Sequence, residues 1–337
     1  MSKDTFNEAN YEQAIIELFT QQLGYEYIYG PDIVRDYTEP LFLDRLQQSL
    51  LAINPTLPAV AIQEAIDKIR QIDTGSLVQR NEVFTDYLQN GVDVSYFDGK
   101  EQHSACVRLI DYDHPLHNNF VLANQWSIEE HSVRRADIIV FINGLPLVVM
   151  ELKSPSRTET NVSEAYAQLR NYMQEIPSLF VYNAFCVMSD LVTSKAGTIT
   201  SGEDRFMEWK TVDGQTEDNH FANFHVLFCG MFEQERLIEI LRDFICFSKE
   251  EKQSAKILAG YHQFYAVRKA ITSVKEATTT NGKGGVFWHT QGSGKSLSMV
   301  FFAKCLQRAL SSPTIVVITD RTDLDNQLFG QFSRCSE

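Results

Sequence analysis

Positive net charge, paired cysteines and long apolar runs are what this 337-residue sequence lacks. Its net charge of −14 argues against a protein that holds nucleic acid by bulk electrostatic attraction. Six cysteines (Cys106, Cys186, Cys229, Cys246, Cys305 and Cys335) include no CxxC pair and no Cys/His ligand spacing. They therefore indicate neither a zinc site nor a disulfide framework, and they suit a reducing cytosol. The longest apolar stretch, IIVFINGLPLVVM, is interrupted by Asn143, Gly144 and Pro146 and is too short to span a bilayer. The polar start, MSKDTFNEAN, lacks signal-peptide character. A cytoplasmic chain with no membrane role is the expectation. Internal repeats, heptads and low-complexity tracts are also missing.

What is present reads as an ordinary globular chain. With 44% hydrophobic residues it can bury a sizeable core, and its length suggests two domains. Apolar residues at helical spacing predict helices over 8–23, 38–53, 59–72 and 76–89, the first ending at Gly24 and the last at Asn90-Gly91. The period then changes. VDVSYFD, SACVRLIDY, NFVLANQW, RADIIVFIN and LPLVVMELK are short β-branched and aromatic runs separated by turn residues, which predicts successive strands. NVSEAYAQLRNYMQEI returns to helix, LFVYNAFCVMSD to strand and EQERLIEILRDFICF to helix. The polar stretch SKEEKQSAK, 248–256, marks the expected junction between domains spanning 1–250 and 251–337.

The most informative segment is RRADIIVFINGLPLVVMELKSPS. Asn143-Gly144-Leu145-Pro146 is a turn-rich link that makes the flanking apolar strands an antiparallel hairpin. Side chains alternate along a strand, so Glu151 and Lys153 share one face and Leu152 the other, and the hairpin brings Asp137 beside them. Two neighbouring carboxylates repel unless a cation lies between them, and oxygen ligands suit Mg²⁺. With a lysine alongside, such a site suits phosphodiester hydrolysis. Taken singly, an acid before an apolar strand or an ELK at a strand end is unremarkable; the convergence of all three is what points to chemistry. In the window 131–175, five basic residues (Arg134, Arg135, Lys153, Arg157, Arg170) balance five acidic ones (Asp137, Glu151, Glu159, Glu164, Glu175), so the acidic excess lies elsewhere. The following helix carries Gln168 and Tyr172 four residues apart, on one face.

Asp137, then Glu151-Leu152-Lys153, then Gln168-Leu169-Arg170-Asn171-Tyr172 resembles the PD-(D/E)xK nuclease superfamily, in the form with an added QxxxY helix found in the R (motor and endonuclease) subunits of type I restriction enzymes. Ala136 stands where the literal motif has proline. The resemblance implies a restriction-endonuclease-like mixed sheet flanked by helices, with Asp137 and Glu151 as metal ligands and Lys153 as catalytic residue. It also implies that Gln168 and Tyr172 contact DNA or support the site. A first-helix carboxylate completes some sites of this kind; Glu8 and Glu12 are the candidates, although both read as a solvated helix face. His114 and His117 invite a metal-binding reading, but beside Pro115 and two asparagines they read instead as loop residues.

GGVFWHTQGSGKS followed by SLSMVFFAKCLQRAL reads as a strand, a glycine-rich turn and a helix. In that context backbone N–H groups of Gly292, Ser293 and Gly294 cradle phosphates, Lys295 reaches the β and γ oxygens, and Ser296 ligates Mg²⁺ of bound ATP. His289 replaces the first glycine of the strict motif. This variant resembles motif I of superfamily 2 helicases and translocases; YHQFYAV, with Gln263, resembles their adenine-reading segment, and TIVVITDRTDLDNQLF, 314–329, their motif Ia. A RecA-like lobe needs on the order of 150 residues, and from Gly260 to Glu337 there are 78 without an acidic DEAH-type motif. The expectation is an incomplete RecA-like P-loop domain, hence the N-terminal piece of a larger protein, without DNA-stimulated ATPase of its own.

The family resemblance implies a type I site-specific deoxyribonuclease that cuts double-stranded DNA beside methyltransferase (M) and specificity (S) subunits. Two alternatives stand beside it: a nuclease fused to a repair helicase, and a catalytically silent, ATP-gated DNA-binding module.

Overall fold

The computed structural model describes residues 8–153, 162–190, 192–217, 224–249, 254–311 and 313–318, with 329, 330, 332, 333 and 335 beyond them. Helix α1 (Glu8–Gln21) buries Tyr11, Ile15, Ile16, Leu18 and Phe19, the face its spacing predicts, and Gly24 takes the left-handed φ of +75° just beyond its end. After the short strand β1 (Glu26–Tyr29) come α2 (Leu43–Ile53), α3 (Ala59–Arg70) and α4 (Leu77–Asn90). The first of these starts later than the expected 38, because Pro40 lacks the N–H a helix interior requires and disfavours helical backbone at the preceding residue. Helix α4 is bounded as its sequence dictates: Ser76 and Gln79 form a capping box, and Gly91 at φ +92° ends it.

Strands β2 (Val92–Phe97) and β3 (Gln102–Val107) make a separate two-stranded ribbon. Then β4 (Phe120–Glu129), β5 (Val133–Ile142) and β6 (Leu145–Leu152) form the expected meander. Helices α5 (Val162–Glu175) and α6 (Pro177–Val181) lead to β7 (Phe185–Ser189) and β8 (Ser194–Gly197). The six-stranded sheet is mixed, in the order β1-β4-β5-β6-β7-β8, with β1/β4 and β6/β7 parallel. The part of the expected strand 179–190 that precedes Tyr182 is helix α6, opened by Pro177.

Both faces of the sheet are covered, which explains why every residue of β6 is buried. Leu122, Ile138, Val140, Ile142, Met150 and Leu152 pack into one core with α1 to α4. Val121, Ala123, Ile139, Phe141 and Val149 pack into a second core with Ala165, Leu169, Tyr172 and Met173 of α5. The β5–β6 turn is the two-residue pair Asn143 and Gly144, both at positive φ, as the right-handed twist of a hairpin favours. A register shift between Val140 and Phe141 accommodates Pro146.

Beyond the sheet, α7 (Phe224–Phe232) and α8 (Gln234–Asp243) join the first core. The expected helix over 233–247 stops at Asp243; its last residues enter β9 (Ile245–Lys249), which pairs with β10 (Ser254–Leu258). The stretch 248–256 therefore contributes to a hairpin, and buried Lys256 donates to Asn81 Oδ1 and the Asn183 carbonyl, both at 2.8 Å. Helix α9 (Tyr261–Thr278) and helix α10 (Lys295–Ala309) follow, with the rings of Phe264 and Phe301 packed at a tilt against Phe244, centroids 4.6 and 5.7 Å away. Residues 283–290, expected to include a strand, have no regular structure, and Val286 and Trp288 are exposed. A strand exists by pairing, and among the described residues none pairs with this segment. Of the expected motif at 314–329, residues 319–328 lie outside the described residues, and 314–318 carry no strand. Among the described residues no helix is long and apolar enough to cross a membrane.

Candidate functional site

Antiparallel pairing of Ile138 with Met150 makes Asp137 and Glu151 cross-strand neighbours at one end of β5 and β6. The alternation that sends Ile138, Met150 and Leu152 to the first core sends Asp137, Glu151 and Lys153 to the other face, over α5. Asp137 Oδ2 accepts from the Leu152 N–H at 2.8 Å. Lys153 Nζ donates to Glu151 Oε1 at 2.6 Å and to the Leu152 carbonyl at 3.0 Å. The expected triad is therefore one contiguous cluster. Glu151 is 1% exposed, and its second oxygen, Oε2, is buried with no hydrogen-bond donor among the described residues.

Burial dominates the electrostatics. It pushes the Asp137 carboxyl up to about 6, against the Leu152 N–H and the Lys153 charge. It pushes Glu151 further, to about 8, with the neighbouring Asp137 charge adding to the effect. For Lys153, burial opposes the charged form, yet Glu151 and Asp137 outweigh it and hold the ammonium above its ordinary range. Two desolvated carboxylates with a donor-free oxygen are an arrangement that a hard divalent cation relieves, and an all-oxygen donor set suits Mg²⁺.

Two further elements complete the surroundings. On α5, Gln168 Nε2 donates to the Tyr172 hydroxyl at 2.8 Å, and that hydroxyl donates to the Arg135 carbonyl at 3.0 Å. Tyr172 is buried, and its phenol is held well above its ordinary range by burial and by Glu151. These bonds tie α5 to β5 two residues before Asp137. On α1, Glu8 and Glu12 are half-buried rather than a solvated face. Their charges raise the Asp137 carboxyl, and Glu12 accepts from the side-chain amides of Asn124 and Gln125 on β4. Gln125 itself has φ +53° and falls between the pairs Asn124–Ile138 and Trp126–Ala136, opposite Asp137, with the β4–β5 register unchanged across it. Sequence reasoning passed over Asn124 and Gln125; the available signal for the glutamates was the i,i+4 spacing of Glu8 and Glu12.

The phosphate-loop residues assemble elsewhere. Gly292 and Gly294 take left-handed φ of +82° and +77°, and α10 begins at Lys295 as the motif predicts. Lys295 Nζ donates to the His289 carbonyl of its own loop at 2.9 Å. Buried Gln263 bridges the start of α9 to the loop: its Oε1 accepts from Gly260 N–H at 3.0 Å and its Nε2 donates to the Gly294 carbonyl at 3.2 Å. Ser293 and Ser296 are half-buried in the same turn.

A paired-carboxylate cluster on a mixed sheet, followed by a phosphate-type loop, defines a nuclease-like region followed by an ATPase-like one. Residues 5–205 match the family model described as type I restriction enzyme R protein N terminus, and residues 262–337 match SWI2/SNF2 ATPase. The chain is 39% identical, over 97% of its length, to the type I restriction enzyme HindI endonuclease subunit of Haemophilus influenzae, covering 33% of that protein. It is 33% identical, over 93% of its length, to the putative type I restriction enzyme MjaIXP endonuclease subunit of Methanocaldococcus jannaschii, again covering 33%. The chain belongs to the type I restriction enzyme R protein N-terminus family. It spans about a third of the length of these curated relatives.

Proposed function

We propose that this chain carries the Mg²⁺-dependent DNA-cutting site of a type I restriction R subunit, with Asp137 and Glu151 as metal ligands and Lys153 as catalytic residue. The observation that carries the reading is the convergence of these three side chains on one sheet end with Glu151 Oε2 buried and without a donor. When bound, Mg²⁺ supplies Lewis acidity to a phosphate oxygen and lowers the pKa of a bound water. Lys153, charged and anchored to Glu151, stabilises the negative charge that develops on the phosphate. Tyr172 and Gln168 hold β5 in place, and Glu12 ties down Asn124 and Gln125 on the adjacent strand β4.

The loop from Gly292 to Ser296 is proposed as the phosphate cradle for ATP, with Lys295 leaving the His289 carbonyl for the nucleotide and Gln263 reading the adenine. Residues 1–250 serve as the nuclease portion and residues 251–337 as a motor portion; family matches ending at 205 and starting at 262 support that division. Double-stranded DNA is the substrate, and methyltransferase and specificity subunits are the partners. The names of the relatives favour this over the repair-fusion alternative. The test is plasmid cleavage by the complete R subunit assembled with those partners. Wild type cuts with Mg²⁺ and not with EDTA, and Glu151→Ala does not cut; cleavage by Glu151→Ala overturns the assignment.

A further inference from the structure

The connection between β3 and β4 holds a second cluster of chemistry-bearing side chains, apart from both proposed sites. Asp111, His114 and His117 follow one another at intervals of three, and Pro115–His117 is a 3₁₀ turn with His114 at its N-cap. Three residues per turn superimposes positions i and i+3. The two imidazoles are accordingly stacked, with centroids 4.9 Å apart and planes within 20°. Asp111 Oδ2 lies 3.6 Å from His114 Nδ1 and 3.3 Å from His117 Nδ1, and one donor atom from each of the three residues falls within 4.8 Å of the others.

The carboxylate is fixed in orientation. Its side chain is 6% exposed, and its other oxygen accepts from the N–H groups of Asp113 and His114 at 3.2 and 3.1 Å, with Arg108 Nη1 at 3.8 Å. That leaves Oδ2 to the imidazoles. The loop is closed by buried Asn118, whose Oδ1 accepts from Asp111 N–H and Asn143 Nδ2, both at 2.8 Å, and whose Nδ2 donates to the Asp111 and Pro115 carbonyls. Protein hydrogen bonds alone therefore hold the three ligands together. The imidazole side chains are 67% and 65% exposed, which gives an ion an entry path and leaves room for a solvent ligand.

We propose that Asp111, His114 and His117 form a binding site for a borderline transition-metal dication of the Zn²⁺ class. Two imidazoles and one carboxylate are a donor set for such ions, whereas Mg²⁺ and Ca²⁺ prefer oxygen alone. Zinc bonds of about 2.0–2.1 Å to nitrogen and oxygen give a tetrahedral ligand-to-ligand edge of about 3.3 Å, close to the two carboxylate–imidazole spacings of 3.6 and 3.3 Å, while the third pair lies within 4.8 Å. Three protein ligands leave the fourth position to water. The cysteine spacing that argued against a zinc site does not bear on this one, and both histidines are loop residues as their sequence context suggests.

The test is calorimetric titration of the chelator-stripped 337-residue chain with Zn²⁺. Wild type is expected to bind one more Zn²⁺ than the His114→Ala/His117→Ala double variant, Glu151→Gln one more than the triple variant that adds Glu151→Gln to that pair, and each single histidine variant weakens that site by about tenfold or more. Because both rings are exposed, these variants fold, which unchanged thermal unfolding without metal verifies. Equal Zn²⁺ binding by wild type and the double variant overturns the proposal and reduces the cluster to imidazole–carboxylate ion pairs. Equal Zn²⁺ binding by Glu151→Gln and the triple variant also overturns it, placing the zinc at the acidic cluster instead.

Discussion

Glu151 stands on an inner strand of a six-stranded sheet, 1% exposed, with its position set by β5 on one side and β7 on the other. Lys295, in contrast, is exposed at the start of α10, and its ammonium rests on a carbonyl of its own loop. The first arrangement is enforced by strand register: moving Glu151 means shifting a whole ladder. The second depends on a few left-handed glycines and one glutamine bridge. A site that must hold two repelling carboxylates together needs a scaffold on both sides, whereas a phosphate cradle made of backbone N–H groups needs a loop free to close on its ligand.

The largest effects that test this contrast are on activity. In the complete, assembled R subunit, Lys153→Ala is expected to reduce DNA cleavage by at least about a hundredfold while leaving ATP hydrolysis intact. Lys295→Ala is expected to abolish ATP hydrolysis while leaving the thermal stability of the chain unchanged. Loss of both activities in either variant breaks the separation.

Next comes stability at two glycines with nearly equal φ. Gly144 sits at +81°, and a Cβ there would lie 2.5 Å from the Leu46 nitrogen and 2.6 Å from the Phe42 carbonyl oxygen. Gly292 sits at +82° with nothing within 4 Å. Gly144→Ala should cost about 3 kcal/mol or more, and Gly292→Ala about 1 kcal/mol, as read by chemical denaturation. Similar losses at the two positions would show that the β5–β6 turn is no more tightly built than the loop.

A smaller effect concerns pH. The folded Glu151 carboxyl, at about 8, lies above its ordinary value of 4.5, so the folded chain keeps this proton after the unfolded chain has lost it. Stability without divalent cation should therefore fall as pH rises from about 4.5 to about 8 and then level off. Asp137 adds a slope between 3.8 and about 6 of the same sign. Glu151→Gln flattens the upper part of the curve, and thermal unfolding across this range in EDTA measures it. A wild-type curve that rises over the same interval contradicts the burial argument.

The smallest expected effect is at Tyr172→Phe. Losing the hydroxyl that joins Gln168 to the Arg135 carbonyl should cost about 1 kcal/mol of stability and leave DNA affinity unchanged. Weakened DNA binding with unchanged stability would instead assign Tyr172 to the substrate.

Much of the sheet site was legible in the sequence because its determinants are local. The two-residue period of β5 and β6, together with Asn143-Gly144, places Asp137, Glu151 and Lys153 on one end and one face. What escaped depends on distant partners. Glu12 leaves solvent because the amides of Asn124 and Gln125, more than 100 residues away, need an acceptor. Strand β9 is hidden inside a helical pattern because β10 lies beyond a polar stretch that reads as a linker. The opposite error arises at Val286–Trp288, where an apolar, β-branched run has the composition of a strand but no pairing partner among the described residues.

The most direct measurement is a crystal structure of the chain soaked with Mn²⁺, using anomalous scattering to locate the ion. The account predicts a peak between Asp137 and Glu151, in contact with Glu151 Oε2 and absent from Glu151→Gln. Carboxylates that stay protonated and metal-free at pH 8 in millimolar Mn²⁺ would contradict it.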